Sequence, residues 1–110
     1  MMHPAKEIKF DEKLMRRARM FKALAHPARL TILEYLAEIK SCITGDIAEE
    51  LPLSRTTVNQ HLKELRDAGL IIGTVEGVRT NYCLNPRAIE ALRRDTDDFL
   101  AWIHVGENHC

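Results

Sequence analysis

LPLSRTTVNQHLKELRDAGLI, residues 51–71, carries two patterns at once. Val58, Leu62 and Leu65 recur four and three residues apart, the spacing of one buried helix face. Around them stand Ser54, Arg55, Thr56, Thr57, Asn59, Gln60, His61 and Lys63, with no acid between Arg55 and Lys63. Ser54 occupies a helix-cap position, and Gly69 follows where the helix should stop. A merely solvated face is served equally well by Glu and Lys. Short hydrogen-bonding side chains without acids suit a surface that meets phosphates and base edges.

The neighbouring stretches extend this reading. Upstream, GDIAEEL reads as a short helix that Thr44 can cap, with Asp46, Glu49 and Glu50 suited to the positive end of its dipole. Downstream, two β-prone runs in LIIGTVEGVRTNYCL flank Glu76-Gly77-Val78-Arg79, a hairpin with a four-residue turn. Asn85-Pro86 is a cap followed by a first-turn proline, and the helix it opens aligns Ile89, Leu92, Phe99 and Ile103. Near the start, Leu14, Ala18, Phe21 and Ala25 mark a first helix that His26-Pro27 interrupts. The next helix, PARLTILEYLAEI, is expected to bury Leu30, Leu33, and Leu36 or Ala37, together with Ile32 and Ile39. The expected fold is mainly α with a small β-hairpin wing, a winged helix-turn-helix. It forms a single domain over 1–110, with the helix-turn-helix at 45–68 and the wing at 70–84.

Composition narrows the class. The chain has 110 residues and is 45% hydrophobic, enough for one modest core. No apolar run reaches the roughly 18 residues needed to span a bilayer, and MMHPAKEIKF lacks an export signal core. Three widely spaced cysteines do not form a secreted disulfide framework. The expected location is the cytoplasm, with free thiols. Net charge is zero but unevenly spread: residues 1–22 hold seven basic against three acidic side chains, whereas residues 23–53 hold two against five. Nucleic-acid binding must therefore rest on local geometry. No catalytic constellation or Gly-rich phosphate loop is present, so an enzyme is not expected.

In a winged helix-turn-helix the second helix of the motif enters the major groove. The expected DNA-facing set is Ser54, Arg55, Thr56, Thr57, Asn59, Gln60, His61 and Lys63, with Arg79 at the wing tip. Double-stranded operator DNA is the expected partner. A winged helix used for protein–protein contact is the other reading, but it would not need an acid-free face. The helices at 11–25 and 86–105 have apolar faces that so small a motif cannot cover, and Trp102, Ile103 and Val105 are costly to expose. A homodimer would bury them.

FKALAHPARLTILEYL, GDIAEELPLSRTTVNQHLKELRDAGLI and GTVEGVRTNYCL together resemble the ArsR/SmtB family of bacterial repressors, in unbroken order over about residues 14–92. The resemblance implies a homodimer built on the first and last helices, released from its operator by an inducer that is often a metal or metalloid ion. The family's C-x-C-D-L thiolate pattern is half kept in SCITGDI, where Thr44 replaces a second thiol. Its D-x-H and H-x-x-E zinc spacings are not kept around Asp95-Thr96-Asp97, His104 and His109. A different pairing is open. If Cys42-Ile43-Thr44 lies beside the returning wing strand, Cys42 and Cys83 become neighbours, with Cys110 and His109 as further donors. Such thiolates suit a soft ion such as arsenite, Cu(I) or zinc, or a reversible disulfide that senses redox state without metal. Cys42 and Cys83 as small core residues is the other reading.

Overall fold

The computed structural model describes residues 9–39 and 47–104, with the backbone alone at Glu76 and Arg79. Helix α1 spans Glu12–Leu24, α2 Pro27–Ile39, a single 3₁₀ turn Ile47–Glu50, and α3 Arg55–Asp67. Strands β1 (Ile71–Glu76) and β2 (Arg79–Leu84) follow, and α4 spans Pro86–Ile103. The strands pair antiparallel, with Ile71 opposite Leu84 and Glu76 opposite Arg79. The turn is therefore two residues, Gly77-Val78, tighter than the four expected, and Gly77 supplies the positive φ of 64° such a turn requires. Cys42, Thr44 and Asp46 lie outside the described residues, as do Val105, His109 and Cys110.

The core sits under the helix-turn-helix. Ile32, Leu36, Val58, Leu62, Leu65, Leu70 and Ile71 are almost completely enclosed, and each such side chain contributes about 1.5–3 kcal/mol by leaving water. On α2 the buried stripe is Ala28, Ile32 and Leu36, each four residues from the next. That phase turns Leu30 outward, against expectation, and leaves Leu33 and Ile39 partly buried. On α1 the difference is larger. Leu14, Ala18 and Ala25 are exposed, whereas Arg17 and Ala23 are buried.

Helix α3 ends as its glycine suggests. Gly69 has φ 83°, its N–H reaches the Arg66 carbonyl at 2.9 Å, and the Leu70 N–H reaches that of Leu65 at 3.0 Å. These two bonds close the orphan carbonyls of the last turn. Asn85 then ties this end to α4: its Nδ2 donates to the Gly69 carbonyl at 3.0 Å, and its Oδ1 accepts from the Ala88 N–H at 3.4 Å. One side chain thus fixes the exit of α3 against the start of α4.

Candidate nucleic-acid interface

Helix α3 has two unlike faces. Val58, His61, Leu62 and Leu65 are buried, while Arg55, Thr56, Asn59, Gln60 and Lys63 are exposed. Ser54 caps the helix: its Oγ accepts from the Thr57 N–H at 3.2 Å and donates to Thr57 Oγ1 at 2.9 Å. Thr57 is half-buried, so the two hydroxyls shape the entrance of the helix while its exposed row projects outward. Lys63 pairs with Asp67 one turn on, Nζ to Oδ2 at 2.8 Å. That hydrogen bond raises the Lys63 ammonium above its ordinary pKa and lowers the Asp67 carboxyl. Arg79 opens β2 directly after the wing turn.

His61, expected among the DNA-facing side chains, points the other way. It is 8% exposed, its Nδ1 accepts from Arg29 Nε at 3.1 Å, and its ring lies 4.2 Å from that of His26. Burial first, then the charge environment of His26 and Arg29, lowers its pKa, with Glu64 opposing. Period alone could have placed it inward, since His61 lies three residues after Val58 and four before Leu65.

Sequence reasoning also missed the contact that holds α1 to α4. Arg17 donates Nε and Nη2 to the two oxygens of Asp95 at 3.0 and 2.7 Å, and its guanidinium lies 4.9 Å from the Phe99 ring centre. Phe99 in turn meets Phe21 at 6.0 Å. The Arg17 hydrogen bonds hold the Asp95 carboxyl below the usual carboxylate range. Asp95 is therefore engaged with Arg17. Among the described residues, no three His, Cys, Asp or Glu side chains converge as a metal site. Of the three cysteines, Cys83 is described, on β2 opposite Ile72, and it is disulfide-bonded.

A capped helix with a buried apolar face and an exposed polar row free of acids from Arg55 to Lys63, followed by a two-stranded wing, defines a winged helix-turn-helix DNA-binding protein. Residues 26–72 match the model for the bacterial regulatory protein, arsR family. The HTH-type transcriptional regulator Rv2034 of Mycobacterium tuberculosis is 42% identical over 81 residues, covering 74% of this chain and 75% of that protein. The HTH-type transcriptional regulator CmtR of Mycobacterium tuberculosis is 42% identical over 67 residues, 61% of this chain and 56% of CmtR. Among solved structures, the homodimeric winged helix-turn-helix DNA-binding domain of a possible ArsR-family regulator from Mycobacterium bovis superposes with TM-score 0.65 at 27% identity, covering 96% of this chain and 98% of that one. The chain belongs to the ArsR family of transcriptional regulators. It is a regulator and not an enzyme, as are these relatives. No helix among the described residues is long and apolar enough to cross a membrane.

Proposed function

We propose that the protein is a repressor that binds double-stranded operator DNA as a homodimer and leaves it when an inducer acts on its cysteines. The observation that carries the DNA reading is the exposed row Arg55, Thr56, Asn59, Gln60 and Lys63 on a helix whose other face is locked into the core. Gln60 and Asn59 are suited to adenine, Arg55 to guanine or phosphate, and Lys63 to phosphate on exchanging Asp67 for it. Ser54 and Thr57 set the helix entrance against the backbone, and Arg79 on the wing is assigned to a neighbouring phosphate or the minor groove.

The dimer reading is supported by the exposed Leu14, Leu100, Trp102 and Ile103 of α1 and α4, and by the homodimeric state of the Mycobacterium bovis domain. Two copies related by a two-fold axis would set their α3 helices about 34 Å apart, one DNA turn. The protein would act in the cytoplasm.

For the inducer, the two thiol readings diverge in donor chemistry. A soft ion such as arsenite or zinc would need the Cys83 sulfur as a thiolate, together with Cys42 and, as a third donor, Cys110. In the second reading a reversible disulfide at Cys83 lets the cysteines sense redox state directly. Reduction by a cellular dithiol delivers two electrons and two protons to such a disulfide, the dithiol itself closing to a disulfide.

The test is binding to a duplex from the protein's own promoter across a salt series. A steep loss of affinity with salt is expected from phosphate contacts; no binding at low salt contradicts the proposal. Titrating the complex with a dithiol, and separately with arsenite or zinc, assigns the inducer. Release by neither would remove cysteine sensing.

A further inference from the structure

Three helices meet at one imidazole. Arg29, from α2, donates Nε to His61 Nδ1 on α3, and its Nη1 reaches the Lys22 and Ala23 carbonyls at 3.2 and 3.3 Å, in the last turn of α1. His26, in the link between α1 and α2, lies across the buried His61 ring from the outside. Its own Nδ1 accepts from the Ala28 N–H at 3.0 Å, and its carbonyl accepts from the Arg29 and Leu30 N–H groups, so it caps α2.

Both rings therefore use Nδ1 as an acceptor, an arrangement that leaves Nε2 as the N–H donor. The same tautomer argues against a shared metal, because a ring bound through Nε2 would carry its proton on Nδ1. A proton added to His61 Nδ1 would meet the Arg29 N–H head-on, beside a guanidinium and a second imidazole. The charged and titratable groups that act on His61 are His26, Arg29 and, on its own helix, Glu64. Glu49 and Glu50 of the 3₁₀ turn, which packs against α3, are exposed.

We propose that His61, held between Arg29 and His26, is a positioning residue for the DNA-reading helix, and that acid releases this joint and weakens operator binding. The inference rests on α3 being the DNA-reading helix. The sign follows from which form is favoured. A released His61 titrates near 6.5, and the bracketed ring titrates lower because burial opposes its charge. The bracket is thus complete above pH 6.5 and weakens as pH falls below it, until the bracketed ring also takes up a proton. At pH 5.5 the ratio of bracketed to released forms falls by up to about tenfold. General electrostatics predicts the opposite for DNA binding, since protonating the five histidines makes the chain more positive.

The test compares wild type with His61→Asn, whose Oδ1 can accept the Arg29 hydrogen bond but cannot titrate. Denaturant unfolding and binding to the promoter duplex are measured at pH 7.5 and 5.5. Wild type is expected to lose up to about tenfold in its folding equilibrium at pH 5.5 and to bind DNA more weakly. His61→Asn is expected to bind within about threefold of wild type at pH 7.5 and to lose the acid weakening. An unchanged pH profile in the variant overturns the proposal. If the variant does not fold, nitrogen NMR of the wild-type imidazoles decides. A proton on His61 Nδ1, or a titration midpoint at or above 6.5, overturns the bracket; an acceptor Nδ1 with a lower midpoint supports it. Absence of promoter binding at pH 7.5 would overturn the DNA reading of α3 and the DNA half of this inference, while the unfolding arm still reads the bracket alone.

Discussion

The helix-turn-helix and the pair of flanking helices start from similar sequence patterns and end in opposite states. In α2, α3 and the start of β1, the apolar stripes meet one another, and Ile32, Val58 and Leu65 have no exposure at all. In α4, eighteen residues long, no residue is buried, and Trp102 is 80% exposed. Arg17 joins α1 to α4 between Asp95 and the Phe99 ring, and Phe21 meets Phe99 beside it. Periodicity announces that a face will be covered, but it does not say by which chain. The reading half is completed within one copy; in the proposed dimer the flanking half is completed by a second.

The sharpest way to break this contrast is to cut into both halves. Leu62→Ala should cost about 2–5 kcal/mol in denaturant unfolding, because it opens a cavity in a closed core. A cost below about 1 kcal/mol would mean that the core is looser than its burial indicates. Trp102→Ala should leave the fold of each chain intact but weaken the dimer by about 2 kcal/mol or more, roughly 30-fold in dimer Kd. An unchanged association constant would relocate the interface.

Smaller effects refine the reading half. Gln60→Ala should cost about 1–3 kcal/mol on the operator and much less on random duplex if it reads a base. Equal losses on both would reduce Gln60 to a backbone contact. Ser54→Ala should remove about 1 kcal/mol of stability through the lost cap, seen as a lower thermal midpoint with the operator preference retained. At the small end, Arg93, on the open face of α4 with Glu90 and Asp97, should tolerate Ala with no measurable change in unfolding.

The reading half was legible because its signals reinforce one another. Ser54, the Val58-Leu62-Leu65 spacing and Gly69 each mark the same helix, which the structure bounds at Arg55 and Asp67. His61 was misplaced because its polarity outweighed its position in the period. The partner that makes its burial tolerable, Arg29, lies 32 residues away and gives no local sign. Arg17 was hidden for the same reason: a charged residue enters an interior only when its counter-ion arrives from elsewhere, here Asp95, 78 positions on. Leu30 erred in the other direction. An apolar residue in an amphipathic helix is read as core, but the phase set by Ala28, Ile32 and Leu36 leaves it outside.

The contrast between a self-sufficient reading half and an unfinished flanking half is tested most directly by sedimentation equilibrium at micromolar concentration, without DNA. A single species of about twice the 12.6 kDa chain mass is expected. A 12.6 kDa monomer under those conditions would contradict it, and would leave Leu14, Leu100, Trp102 and Ile103 in water with no partner copy to cover them.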